Sequence, residues 1–339
     1  YIKDAMKNDP FFRGTRTVFT IHNLAYQGNF PVSAYTKTGL PLEYLTPNGC
    51  EFYGQFSFIK AGIAFADAIT TVSETYSEEI KTPEFGCGME GLLTKRKKDL
   101  HGIINGIDMA IWDPEKDMNI VRQYTADTLD IKEECKVDLC ESLGMPYEKG
   151  TPIIGIIARF VDQKGIELLV ETMDHILKTG AQIVILGSGE KKYEEFFVKQ
   201  QKKHPNQVGL FLGFHDNFAH KIEAGADIFI MPSAYEPCGL NQMYSMRYGT
   251  IPVARRTGGL ADTITDPLEA TKKNPPTGFL FDKYDAKSFM KALERAMSEY
   301  KRHPNKWREL QTNGMAKDFS WNKSATKYAE LYEKLLAKQ

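Results

Sequence analysis

Glu236 lies in the stretch Ser233-Ala-Tyr-Glu-Pro-Cys-Gly-Leu-Asn-Gln-Met-Tyr-Ser-Met246, directly after an apolar β-type run, 227–231, that stops at Pro232. That order places a carboxylate in a strand-to-helix turn. In open α/β sheets such turns bind ligands, because helix N-termini present unpaired N–H groups at the carboxyl ends of the strands. A second strand, 251–254, runs into Arg255-Arg-Thr-Gly-Gly-Leu260, so two glycine turns can face one ligand. Taken singly, a turn of this kind reads better as a capping carboxylate with glycines that permit a tight bend. Arg159 and Lys164 flank Phe160-Val-Asp-Gln163, between a strand end and a helix opening at Gly165. Two cations at a helix N-terminus suit a diphosphate, since dipole and charge act in the same direction; ordinary surface charge is the alternative. His22, beside Asn23 at a strand end, reads as a donor to substrate or as a structural histidine. Phe214, just past a strand, reads as a stacking platform for a base or as a core ring. Gly187-Ser-Gly189 lacks the third glycine of a dinucleotide fingerprint and reads as a turn. No Gly-x-x-x-x-Gly-Lys-Ser/Thr loop occurs.

Alternating strands and helices must position these groups. In the second half, strand 153–157 precedes a helical pattern over 166–177, strand 182–186 precedes a charged helix from 191 to about 203, and strand 208–212 precedes a helix near 217–224. The two strands already named follow, and 278–281 adds another. Short β-branched runs without alternation fit strands buried on both faces, and serial βα units imply a parallel, doubly wound sheet. The first half offers three such strands, 17–21 ending at His22, 68–72 ending at Ser73, and 102–104 ending at Asn105. A Rossmann-like half has five or six, so this half is expected to be incomplete at its N-terminus. The polar stretch 130–150 is the expected linker, and the tail is helical, with Tyr328, Leu331 and Leu335 at helix spacing.

A chain of 339 residues, 42% of them hydrophobic, is sized for about two domains. Its 43 basic and 44 acidic residues nearly cancel, which gives no electrostatic footprint for nucleic acid or a membrane surface. Lys95-Arg-Lys-Lys98 is the one basic run and reads as a solvated helix face. The five cysteines Cys50, Cys87, Cys135, Cys140 and Cys238 lack metal-ligand spacing and fit a reduced compartment, and no metal or cofactor is expected. No apolar run reaches the roughly 20 residues of a membrane span.

Five segments in register carry a resemblance: Phe19-Thr-Ile-His-Asn-Leu-Ala-Tyr-Gln-Gly28, Asn105-Gly-Ile-Asp108, Ala158-Arg-Phe-Val-Asp-Gln-Lys-Gly165, Glu236-Pro-Cys-Gly-Leu240 and Arg256-Thr-Gly-Gly-Leu-Ala-Asp262. With Thr71-Val-Ser-Glu-Thr-Tyr76, they resemble bacterial glycogen synthase and plant starch synthase over essentially the whole chain. The resemblance implies a GT-B fold of two Rossmann-like domains facing a cleft: a partial acceptor-side domain over 1–140, a nucleotide-sugar domain over 151–318, and a C-terminal helix, 319–339, packing back on the first. It implies transfer of glucose from ADP-glucose or UDP-glucose to the 4-hydroxyl at the non-reducing end of an α-1,4-glucan, with retention and no metal. Arg159 and Lys164 match the family's phosphate-binding pair, and Gly258 and Gly259 match its second phosphate turn after Thr257. Glu236 matches its essential carboxylate, followed by Cys238, Gly239 and Leu240. His22 matches its contact to the donor glucose, Asn105 lies in the matching loop, and Phe214 stands where relatives carry a base-stacking Tyr. Cys238 is expected to orient its turn rather than react. The family's Lys-x-Gly-Gly-Leu segment and an initiator Met are both absent ahead of Tyr1, so the chain is expected to begin inside a longer protein. A non-catalytic nucleotide-sugar or glucan-binding fragment is the alternative, and another GT-B transferase a third reading. The setting implied is bacterial cytoplasm, or a plastid in a plant or alga.

Overall fold

A computed structural model describes residues 1–3 and 5–337. The chain forms two compact units, 1–105 with 322–339, and 106–321.

The first unit is built on three parallel strands, with β1 (Val18–Ile21) and β6 (Leu100–Gly102) flanking a central β5 (Ala68–Thr71). All four residues of β5 are buried, as the central strand of a covered sheet requires. Between β1 and β5 lies a small antiparallel sheet of β2 (Asn29–Pro31), β4 (Gln55–Ser57) and β3 (Glu51–Phe52), in that order. Its β3–β4 turn places Tyr53 and Gly54 at φ +47° and +76°, the paired positive φ of a tight hairpin. Ser57 and Ser73 accept from Lys60 N and Tyr76 N, opening α1 (Phe58–Phe65) and α2 (Glu74–Glu79), and α3 (Glu90–Lys95) follows. Ile21, Leu24, Ile63, Ile69, Ile80 and Leu93 fill the core. Leu331 and Leu335, on the C-terminal helix, pack against Ala68 and Ile103, and Lys327 pairs with Glu74 at 2.9 Å.

The second unit carries six parallel strands in the order β12-β11-β10-β7-β8-β9. They are β7 (Ile153–Phe160), β8 (Gln182–Gly189), β9 (Val208–Leu212), β10 (Ile228–Met231), β11 (Ile251–Arg255) and β12 (Phe279–Phe281). Side chains alternate between faces, and both faces are covered. Ile154, Ile156, Ile228 and Ile230 enter a core with α5 (Ile166–Lys178), α6 (Lys191–Lys203) and α10 (Ala286–Arg302). Ile153, Val184, Phe229 and Met231 enter another with α4 (Lys132–Ser142) and α7 (Asp216–Gly225). The short α8 (Asn241–Arg247) and α9 (Gly258–Thr263) lie after β10 and β11, and α11 (Pro304–Met315) follows α10. β7 and β8 run three residues past their expected ends, so Arg159 is a strand residue opposite Ser188 and Gly187-Ser-Gly189 is strand rather than turn.

The expected division assigned 1–140 to the first domain and read 130–150 as linker, whereas residues 106–140 pack within the second unit. The cause is α4, whose buried face includes two lysines. Lys132 donates to the carbonyls of Glu223 and Ala224 and to Thr250 Oγ1 at 3.2, 2.6 and 2.7 Å. Lys136 pairs with Asp227 at 2.8 Å and donates to Tyr300 at 2.9 Å. Upstream of α4, Trp112 stacks between His220 and Tyr244 at 3.9 and 3.8 Å, and Asp117 accepts from Tyr248 at 2.6 Å beside His220 at 2.7 Å.

Candidate functional site

Strand order in the second unit reverses between β7 and β10: the chain proceeds from β7 outward to β8 and β9, then returns to β10 and proceeds the other way. Loops leaving two such strands part to opposite faces, which opens a crevice at their carboxyl ends. Here the crevice is a cleft of about 280 Å³, lined by the ends of β7 and β10 and by Lys164, Ser233, Glu236, Gly239, Leu240 and Asn241.

Two loops some 70 residues apart in sequence are tied together over it. After β7 the chain makes a single 3-10 turn, Asp162–Lys164, and leaves it through Gly165 at φ +69°. A Cβ there would lie 2.0 Å from the Pro232 carbonyl oxygen, so only glycine allows the loops to meet. Ala234 N then donates to Gln163 O at 2.9 Å, and Gln163 Nε2 donates to Tyr235 O at 3.3 Å. This zipper brings Lys164 Nζ to 2.6 Å from Glu236 Oε2. Ser233 Oγ donates to the same oxygen at 3.1 Å. Glu236 is 6% exposed, so its negative charge is held by one cation and one hydroxyl rather than by bulk water.

The turn after β11 braces the turn after β10 from behind. Gly258, at φ +43°, would carry a Cβ 2.0 Å from the Glu236 carbonyl oxygen, and Gly259 one 2.0 Å from that of Cys238. The Gly259 amide donates to the carbonyls of Glu236 and Pro237 at 3.1 and 3.2 Å. Through these bonds the amide joins the two turns. Gln242 Nε2 reaches the carbonyls of Cys238 and Gly239, each at 3.1 Å, and Thr263 Oγ1 at 3.2 Å. Asn241 Nδ2 donates to Ile157 O on β7 at 2.9 Å, clamping α8 across the crevice. Arg255 donates to the Ala234 carbonyl and lies over the Tyr284 ring, while Arg256 is held by Glu269 and Asp282 at 2.7 Å each.

Lys164, Glu236, Gly239 and Leu240 thus line the cleft, and Cys238, Thr257, Gly258 and Gly259 form the turns behind it. Arg159 is exposed near the end of β7, and Phe214 is 88% exposed beyond β9, on the same carboxyl edge but outside the cleft lining. His22 and Asn105 belong to the first unit, where they follow β1 and β6. Sequence reasoning missed Ser233, Asn241, Gln242 and Arg255; the small hydroxyl just past a strand and the Asn-Gln pair opening a helix were the signals present. Among the described residues, no cluster of three or more His, Cys, Asp or Glu side chains is arranged to hold a metal ion. No helix of the described residues is long and apolar enough to cross a membrane.

Comparison with known proteins completes the assignment. Residues 1–95 match the model of the starch synthase catalytic domain, and residues 146–313 that of the group 1 glycosyl transferases. The chain is 49% identical over its full length to glycogen synthase of Thermotoga maritima, covering 69% of that protein. It is 47% identical over 96% of its length to glycogen synthase of Anaeromyxobacter dehalogenans, covering 68% of it. The catalytic domain of starch synthase IV from Arabidopsis thaliana, solved bound to ADP and acarbose, superposes with a TM-score of 0.91 at 36% identity, over 98% of this chain and 70% of that one. Sucrose-phosphate synthase from Thermosynechococcus elongatus, at TM-score 0.58 and 20% identity over 95% of this chain and 68% of that one, shares the fold. With a doubly wound second unit, motifs in register and relatives of this identity, the chain is a GT-B glycosyltransferase and belongs to the glycogen and starch synthase family.

Proposed function

We propose that this chain transfers glucose from ADP-glucose to the 4-hydroxyl at the non-reducing end of an α-1,4-glucan, with retention at the anomeric carbon. The observation that carries the reading is the contact between Lys164 and Glu236 at the crevice between β7 and β10. Loss of a nucleoside diphosphate puts negative charge on the departing phosphate and positive, oxocarbenium-like charge on the sugar. The cleft offers one group of each sign for these two centres, preorganised in partly dehydrated surroundings where such interactions are strongest. Arg159 and the N-terminal end of α5 add positive potential at the phosphate, and an arginine suits it through its forked donors. Thr257, Gly258 and Gly259 hold the turn of Glu236 in place, Cys238, Gly239 and Leu240 shape the sugar side, and Phe214 offers a ring to the base. Roles for His22 and Asn105 at the donor glucose rest on the family motifs alone.

The relative solved with ADP and acarbose supports ADP-glucose as donor and a glucan as acceptor. The near-neutral surface offers no case for a nucleic-acid or membrane partner. With this reading goes a cytoplasmic setting in a bacterium, the kind of organism that holds the glycogen synthase relatives, or a plastid in a plant or alga. The test is transfer of labelled glucose onto glycogen, with ADP-glucose and UDP-glucose in parallel. Transfer from ADP-glucose that disappears in Glu236→Ala is the expected result. Saturable ADP binding without transfer would instead favour a nucleotide-sugar binder, and equal use of both donors would remove the ADP preference.

A further inference from the structure

We propose that Ser233 is a positioning residue that retains the Glu236 carboxylate when Lys164 leaves it for the donor diphosphate. The inference rests on the reading of the cleft given above and adds a role for a side chain that the reading does not use. Lys164 Nζ and Ser233 Oγ share one oxygen, Oε2, at 2.6 and 3.1 Å. Among the described residues, no hydrogen bond reaches Oε1, which leaves that oxygen for the sugar. The two donors differ in freedom. Ser233 is 2% exposed two residues past β10, its hydroxyl one rotatable bond from the backbone, and stays where that buried turn puts it. The Lys164 side chain is 21% exposed and ends a four-carbon stem on a single turn, so its ammonium can swing. A diphosphate entering beside α5 competes for that ammonium with more charge than one carboxylate carries.

Once Lys164 turns to phosphate, Glu236 is a buried anion with Ser233 as its remaining protein donor. A carboxylate left without any partner in such a place is costly. Ser233 lowers the cost of the handover and keeps Oε2 pinned, so that Oε1 faces the sugar in a fixed direction. The hydroxyl therefore contributes to nucleotide affinity only while residue 236 is charged. A residue that merely supported the fold would contribute whatever stands at 236.

The experiment is calorimetric titration of ADP into the wild type, Ser233→Ala, Glu236→Gln and the double variant, with thermal unfolding of each. One hydrogen bond to a charged group, discounted for water entering the cleft, gives a weakening by Ser233→Ala of about 3- to 10-fold. In the Glu236→Gln background the same substitution is expected to leave Kd unchanged. Ser233→Thr, which keeps the hydroxyl, is expected to bind like the wild type, and Ser233→Cys, a weak donor of similar size, like the alanine variant; this pair decides the matter if Ser233→Ala does not fold. Wild-type affinity in both Ser233→Ala and Ser233→Cys overturns the inference, as does an equal loss with and without Glu236→Gln. A wild type that does not bind ADP overturns the reading of the cleft together with it, whereas ADP binding indifferent to Ser233 overturns this inference alone.

Discussion

Gly258→Ala puts the architecture of the site under the most direct strain. At φ +43° an alanine sits in the left-handed region, at about 1–2 kcal/mol, and its Cβ starts 2.0 Å from the Glu236 carbonyl oxygen. Relief from 2.0 Å to an ordinary contact of 3.4 Å requires the turn after β10 to move by about 1.4 Å, and overpacking of this kind costs about 1–3 kcal/mol more. The sum, roughly 2–5 kcal/mol, corresponds to a fall in Tm of roughly 5–15 °C for a unit of this size. The same displacement carries Glu236 away from the reacting carbon, and a 1 Å misplacement of a catalytic group costs on the order of 100-fold in rate. Gly180→Ala is the control: it has φ +81° but no heavy atom within 4 Å of the added methyl, so it carries the backbone cost alone and leaves transfer intact. Differential scanning calorimetry and initial rates of glucosyl transfer on both variants make the comparison. A Gly258→Ala protein with wild-type rate, or one no more impaired than Gly180→Ala, would refute the bracing of one turn by the other.

Other perturbations read the supporting structure. Burial pushes the Glu223 carboxyl up to about 8, with one oxygen on Ser245 and the other unpartnered. The folded state therefore holds a proton that the unfolded state releases above its ordinary carboxylate pKa, and stability from this group falls as pH rises from about 4.5 toward 8. Glu223→Gln should flatten that slope in denaturant titrations between about pH 5 and 8, and an unchanged slope would contradict it. Burial pulls Lys132 the opposite way, down to about 8, so its contribution rises between about pH 8 and 10.5; Lys132→Met should remove that rise in the same titrations. Asp266, although buried, is held below the usual carboxylate range by Arg295, at 3.1 and 2.6 Å, and by the amides of Leu268 and Leu280. Arg295→Ala should cost about 3–5 kcal/mol at neutral pH, measured by urea unfolding, with the loss shrinking as pH falls through the Asp266 titration.

Much of the second unit was legible because its strands are buried on both faces: continuous runs such as Ile153-Ile-Gly-Ile-Ile157 carry their own signal. The neighbouring of β10 with β7 was not, since composition says nothing of which edge a crossover returns to. α4 escaped notice because two of the five residues on its buried face are lysines, and their ammonium groups are satisfied by carbonyls and side chains far away in sequence. The antiparallel strands around Phe30 and Phe56, two or three residues long, are too short to show a period. At the site, turn position singled out Glu236 and Lys164 but left a helix cap and surface charge open as readings, and the family motifs drew them together. The roles of Ser233, Asn241, Gln242 and the Gly259 amide were not, because each is defined by contact between turns, which a linear pattern does not record.

The most direct test of the central claim is single-turnover transfer from ADP-glucose to glycogen by Glu236→Gln, a near-isosteric change, with ADP affinity measured on the same sample. The pairing of Lys164 with Glu236 predicts a rate lower by about 1,000-fold or more, while ADP binding is kept or strengthened as Lys164 is released to the phosphate. Transfer by Glu236→Gln at the wild-type rate would contradict the assignment of this cleft as the site of glucosyl transfer.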